Sequence, residues 1–229
     1  MPSASDFTAV IATVFTPPEL PRLLSDLQRA GAESVVVEGM RTNHAWNKGL
    51  AQATTRYAAI LNDDVQLSEG WVEALLSHHA AGYTHVAGSM WREVKDLPIE
   101  PGARLLTEAY HKGHLFSMDR SVAVSPIPDD LGIYFGDDWF YWHHRYKGRC
   151  CVALDVQIKT GWDLGRDHMS GYTCHHEGIE AFLGEPLFTA ARRDFVAARK
   201  YFVFPPDDRM PQEKQFPEAT KPAIGLKVA

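Results

Sequence analysis

Cysteine is scarce in this chain: Cys150, Cys151 and Cys174 are the only three in 229 residues. An odd, low count does not build a disulfide framework, so a reducing cytoplasm is the expected home. No stretch approaches the roughly 20 consecutive apolar residues that a membrane-spanning helix needs, which predicts no membrane span. The opening Met-Pro-Ser-Ala-Ser-Asp has no basic region leading into an apolar one, so no secretory leader is expected. The patterns G-x-x-x-x-G-K-[ST], G-x-G-x-x-G and H-E-x-x-H are missing too. Their absence leaves P-loop, dinucleotide-binding and zinc-protease readings without their signature. Positive charge is in deficit, with a formal net charge of −6, which argues against strong non-specific nucleic-acid binding. Two local stretches, "HHRYKGR" and "AARRDFVAARK", still allow a basic surface patch. There is no internal repeat.

Hydrophobic residues make up 45% and charged residues 23%, ordinary values for a globular protein with one core or one core in two lobes. Four apolar runs read as strands: "FTAVIATVF" (7–15), "SVVVEGM" (34–40), "AAILNDDV" (58–65) and "THVAGSMW" (84–91). Between them lie helical patterns. "PELPRLLSDLQRAGA" has Leu20, Leu23, Leu24 and Leu27 at helical spacing, with Gly31 as a stop. "NHAWNKGLAQATTRY" reads as a loop entering a helix. "SEGWVEALLSHHAAG" reads as a helix with Ser68 as its N-cap. This alternation predicts a mostly parallel sheet flanked by helices, with ligands beyond the carboxyl ends of the strands.

From about residue 92 the pattern is less regular. "HLFSMDRSVAV" (114–124) reads as a strand and turn, "DDWFYWHHRYKG" (137–148) as a helix ended by Gly148, and "RCCVALDVQIK" (149–159) as a strand. A loop over 160–180 holds four glycines and three histidines. Residues 180–204 read as helix interrupted at Gly184-Glu185-Pro186. The last 25 residues, 205–229, hold five of the fourteen prolines and read as an extended tail.

Two acidic pairs stand out. Asp63-Asp64 ends the third strand, and Asp137-Asp138 opens a helix in the second half. Taken singly, the first pair is most simply a turn and the second a set of charges favourable to a helix N-terminus. The aromatics Trp139, Trp142 and Tyr146 share one helix face at i, i+3 and i+7, a spacing that predicts core packing rather than a sugar platform. Trp162, in a glycine-flanked loop, is the better stacking candidate.

The order of these segments resembles a known family. "TAVIATVF", "VVVEG", "AWNKGLAQA", "AAILNDDV", "FSMDR" and "FGDDWFYWHHRYKG" succeed one another as the corresponding motifs do in GT-A glycosyltransferases, closest to the family 2 pattern. The resemblance covers roughly residues 7 to 176. It implies a Rossmann-like GT-A α/β domain over 1–204, with a nucleotide-sugar-binding half at about 7–91 and an acceptor half at about 92–180. Helices over 180–204 complete it. It also implies a metal-dependent, inverting transfer of sugar from a nucleotide-sugar, UDP-sugar first, to an acceptor hydroxyl.

By the same resemblance, Asp64 is the direct ligand of Mn²⁺ or Mg²⁺, and Asp63 lies near the ribose or reaches the metal through water. Asn62 departs from the all-acidic form of that motif. Asp138 matches the general base and Asp137 the acidic residue before it. Thr13 and Phe15 end the first strand at the base pocket, with Glu38 in the place of an aspartate that bonds uracil. Arg41 and Asn43 are candidates for base or phosphate contacts. Asn47 and Gly49 match "N-x-G", where a structural role is also open. His175 and His176 stand where the family supplies a third metal ligand, with His168 a further candidate, against the plainer reading of loop histidines. His143 and His144 flank the second motif. The acceptor stays open between a glycan, a small molecule and a modified DNA base. The competing readings are a nucleotidyltransferase of similar layout, which "TPPELPR" after the first strand does not favour, and a nucleotide-sugar-binding protein that has lost catalysis.

Overall fold

The computed structural model describes residues 2–14, 17, 19–90, 103–105, 113–160, 179–203 and 225–226. Its strands are β1 (Phe7–Thr13), β2 (Glu33–Glu38), β3 (Tyr57–Asn62), β4 (Val65–Leu67), β5 (His85–Met90), β6 (Ala103–Leu105), β7 (Leu115–Asp119), β8 (Cys150–Thr160), β9 (Phe202–Val203) and β10 (Gly225–Leu226). Its main helices are α1 (Leu20–Ala30), α2 (Thr42–Gln52), α3 (Trp71–Ala80), α4 (Gly136–Lys147) and α5 (Leu187–Ala198).

The main sheet runs β2-β1-β3-β7-β5-β8-β4, with β6 also on β8. β1 is parallel to β2 and β3, and β5 is parallel to β8, while β7 runs against both β3 and β5. Thus β1, β2, β3, β5 and β8 point one way, as the mostly parallel α/β reading expects. Only the short β4, β6 and β7 oppose them. The antiparallel β7 was not foreseen, and it matters: its first residue, Leu115, pairs with Leu61 near the carboxyl end of β3.

Alternation along the strands divides the core into two layers. Phe7, Ala9 and Ile11 of β1 and Tyr57, Ala59 and Leu61 of β3 face α1 and α3, burying Leu20, Leu23, Leu27, Trp71, Val72, Leu75 and Leu76. Val10, Ala58 and Ile60 face the other way, against Trp46 of α2, Trp139 and Phe140 of α4, and Ala197 and Ala198 of α5. α1 ends as expected. Gly31 takes a left-handed φ of 74°, and its N–H bonds the carbonyls of Leu27 and Gln28.

Two expectations need correction. Ser68 does not cap α3, which begins three residues later after Gly70 in the left-handed region. Ser68 Oγ instead donates to the Asp155 carbonyl at 3.2 Å and accepts from Gln157 N–H at 3.1 Å. It pins the end of β4 to β8, a pairing that no local pattern announces. The Trp139, Trp142, Tyr146 face is not uniformly core. Trp139 is buried, and its Nε1–H bonds the Ser125 carbonyl at 2.8 Å, but Tyr146 is 57% exposed. The stripe climbs from core to solvent as α4 leaves the sheet. In the C-terminal tail, Gly225 and Leu226 pair antiparallel with Val203 and Phe202.

Cys150 and Cys151 are buried free thiols, and burial pushes both up to about 12. Among the described residues no helix is long and apolar enough to cross a membrane.

Candidate active site

Parallel register brings the carboxyl ends of β2, β1 and β3 to one edge of the sheet. Thr13 pairs with Glu38, and Ala12 with Asn62. At about 4.8 Å between neighbouring strands, Glu38 and Asn62 stand about 10 Å apart on either side of β1. Thr13 is buried, and its carbonyl accepts the Gly39 N–H at 3.0 Å. Glu38 is exposed. Asp63 and Asp64 form the turn between β3 and β4. β8 is shifted in register where it passes Gly88 and Ser89 of β5, and its last residues pair with β4. Thr160 therefore lies opposite Val65, one residue beyond Asp64.

Asp63 is 6% exposed. Asp64 is half-buried, and its Oδ1 is shielded from solvent with no hydrogen-bond partner. A carboxylate oxygen taken out of water without a donor is costly. It fits a cation supplied from outside the chain, and a carboxylate oxygen suits a hard divalent ion. Among the described residues no group of three His, Cys, Asp or Glu side chains gathers around it. Phe15, Trp162, His168, Cys174, His175 and His176 lie outside the described residues.

The second acidic pair reaches the same edge through β7. Gly113 and His114 lead into that strand. The Asn62 N–H donates to the His114 carbonyl at 3.0 Å, and Asn62 Nδ2 lies 3.1 Å from His114 Nδ1. One residue earlier, a Cβ on Gly113 would stand 3.6 Å from both Asp137 Oδ2 and Trp46 Cη2. The Gly113-His114 step therefore bonds Asn62 of the first motif with one residue and passes beside Asp137 of the second with the other. Asp137 Oδ1 accepts the Asp138 N–H at 3.0 Å, and Asp138 is 7% exposed in the first turn of α4.

The remaining motif residues hold this arrangement from behind. Asn47 Nδ2 donates to the Ile127 carbonyl at 2.8 Å, and its Oδ1 accepts the Ile127 N–H at 2.9 Å, a reciprocal pair like one rung of a sheet. A Cβ on Gly49 would collide with Val10 Cγ1, so glycine lets α2 lie directly on β1. Asn43 is wholly buried, and its Nδ2 donates to the Leu131 and Tyr134 carbonyls at 3.1 and 2.9 Å. A Cβ on Gly136 would overlap Asn43 Oδ1 and crowd Trp46. Arg41 is placed 3.8 Å from Glu185 Oε1. Arg120, the arginine of "FSMDR", donates to the carbonyls of Leu50, Ala53 and Thr55 and so closes the C-terminal end of α2.

His114 and Trp46 were missed by sequence reasoning. Trp46 is 4% exposed, with its ring edge-on to Phe116 at 5.8 Å. The one available signal for His114 was its place just before a strand, which says nothing until the strand's antiparallel partner is known. His144 is also not at this edge. It is fully buried beside His85, with ring centroids 5.6 Å apart, and burial pushes it down to about 3.

Residues 38–123 match the family model described as glycosyl transferase family 2. This stretch is less than half of the chain. It holds Glu38, the α2 motif, the Asn62-Asp63-Asp64 turn, the Gly113-His114 step and Arg120. No curated protein matches the chain. Among solved structures, glucosyl-3-phosphoglycerate synthase from Mycobacterium tuberculosis, solved with Mn²⁺, UDP and phosphoglyceric acid, superposes with a TM-score of 0.49 at 11% identity, over 80% of this chain and 81% of that one. A197 from STIV gives 0.47 at 16% identity, over 67% and 84%. TarS 1–349 from S. aureus gives 0.47 at 11% identity, over 66% and 59%. These likenesses are loose.

Proposed function

We propose that the protein transfers a sugar from a nucleotide-sugar, a UDP-sugar by preference, to an acceptor hydroxyl with inversion. The observation that carries this reading is the Gly113-His114 step, which bonds Asn62 next to the Asp63-Asp64 turn and passes beside Asp137 at one sheet edge. A displacement at an anomeric carbon beside a diphosphate needs one carboxylate for a cation and one for a proton, and the two acidic pairs at this edge are the candidates for them.

In this reading Thr13 and Glu38 flank the nucleoside base, and Asp63 lies towards the ribose. Asp64 holds Mn²⁺ or Mg²⁺ through its shielded Oδ1, with His175 or His176 as further proposed ligands. Such a cation would supply positive charge beside the departing nucleoside diphosphate. Asp137 orients the acceptor, and Asp138 removes the acceptor hydroxyl's proton as its oxygen attacks. Asn43 and Asn47 serve the donor indirectly, by fixing α2 and the 127–134 backbone. The acceptor class is a glycan, a small molecule or a modified DNA base.

The test is a mass-spectrometric screen for nucleotide-sugar consumption with Mn²⁺, repeated with Asp64→Ala. Consumption of one donor that Asp64→Ala abolishes supports the reading. No consumption across the panel, or full activity in Asp64→Ala, overturns it. Calorimetry with UDP alone separates the binding-protein reading, for which UDP binds tightly without metal.

A further inference from the structure

Asp194 of α5 lies about 70 residues beyond the matched family segment, and no motif of the sequence points to it. Its side chain is fully buried. Its Oδ2 accepts two backbone N–H groups at once, Ile133 at 2.7 Å and Tyr134 at 3.0 Å. Its Oδ1 takes the Arg193 Nε–H at 3.3 Å. On the other side of the same loop, Asn43 binds the Leu131 and Tyr134 carbonyls. The loop is thus held by its amides from α5 and by its carbonyls from α2.

The residues just after the loop give this grip its meaning. Phe135 has φ 67°, the one positive φ outside glycine among the described residues. A bulky side chain avoids that region unless its surroundings over-determine it. The ring of Phe135 packs against Phe195, the residue after Asp194, at 6.4 Å, and against Phe202 at 6.1 Å. Gly136, Asp137 and Asp138 come next. The left-handed turn aims the first turn of α4 towards Gly113, and α5 holds that turn through both Asp194 and Phe195.

We propose that Asp194 is a positioning residue for the Asp137-Asp138 pair: its buried carboxylate fixes the 133–134 amides so that the strained turn at Phe135 presents the pair to the acceptor. The proposal rests on the glycosyl-transfer reading of that pair. It makes α5 part of the catalytic apparatus rather than a cover for the sheet.

Two variants and two measurements test it. Asp194→Ala removes both acceptors. Asp194→Asn keeps one side-chain oxygen able to accept both N–H groups. With the donor identified by the screen, Asp194→Ala is expected to lower kcat for transfer 10- to 100-fold, leaving KM for the donor and the affinity for UDP with Mn²⁺ within twofold. Asp194→Asn is expected to recover most of kcat. Amide hydrogen exchange of the intact protein should quicken at 133–138 in Asp194→Ala and stay unchanged at 57–64. A wild-type kcat in Asp194→Ala, an equal loss of donor affinity, no recovery in Asp194→Asn, or unchanged exchange at 133–138 each overturns the proposal. If the wild-type protein consumes no donor, the functional reading fails, and the exchange data alone still decide whether Asp194 holds the turn.

Discussion

Acidification offers a test of the core that needs no substrate. Burial pushes His144 down to about 3 and His79 down to about 4, from an ordinary value of 6.5. His144 sits with no exposed surface beside His85, and His79 bonds the Tyr83 carbonyl and Ser117 Oγ while stacking on Tyr57. Between pH 6.5 and pH 4 the unfolded chain protonates both rings and the folded chain neither. The unfolded state then holds more protons, so stability falls as pH falls. At pH 5 the solution is about 1.5 pH units below the unfolded value of each ring, a loss of about 2 kcal/mol per ring. The pair together loses about 4 kcal/mol between pH 7 and pH 5. With a urea slope of about 2 kcal/mol per molar, the unfolding midpoint drops by about 2 M. His144→Leu should remove about half of that drop. Two carboxylates with lowered values act at lower pH. A hydrogen bond from Lys200 holds Asp130 below its ordinary 3.8; burial alone would raise Asp119, but hydrogen bonds from Arg56 and Ser121 outweigh it and hold it below 3.8. Both lose their contribution only below about pH 5. A midpoint that stays level from pH 7 to pH 5, or an unchanged slope in His144→Leu, refutes the reasoning.

Three further outcomes are expected of the site. Asn47→Ala leaves the Ile127 N–H and carbonyl without their reciprocal partner and is expected to cost about 1–3 kcal/mol in urea unfolding. Gly49→Ala drives a methyl into Val10 Cγ1 and is expected to cost about 1–3 kcal/mol, part of it recovered when Val10→Ala is added. Asp138→Asn should lower kcat about 10²- to 10⁴-fold while UDP binding with Mn²⁺, read by calorimetry, is kept; an active Asp138→Asn moves the proton transfer to another group.

The strands and helices of the first half were readable because each is a contiguous run with its own signal. "FTAVIATVF" is β-branched and apolar, and the structure trims it only to Phe7–Thr13. The Leu20, Leu23, Leu27 spacing and Gly31 mark α1 at both ends. Pairing between distant segments escaped. β4 is three residues long, and its partner on β8 lies more than 90 residues away. Nothing within Val65-Gln66-Leu67 encodes that partner, so Ser68 looked like a cap and proved to be a clasp. The same limit hid His114, whose contact with Asn62 exists only because β7 inserts antiparallel beside β3.

The acidic pairs were visible for a different reason: charge at a strand end or helix start stands out against apolar neighbours. Their partners are less conspicuous, because they act on backbone. Asn47 binds Ile127, Arg120 closes α2, Asn43 takes two carbonyls and Asp194 takes two amides. Such residues read as ordinary polar positions, since any amide or carboxylate can bond a peptide group and the sequence does not say which peptide will be near. Yet three of them, Asn47, Asn43 and Asp194, bond the backbone that leads into the second acidic pair. Gly136 can approach Asn43 only without a side chain, and Phe135, at φ 67°, has its ring against those of Phe195 and Phe202. In the proposed site the chemistry falls to a few carboxylates, while side chains bonded to the main chain of the 127–136 segment hold the backbone that leads into the second pair. A substitution there should disturb catalysis without touching an acidic residue, and this separates a site that is merely present from one that is held in place.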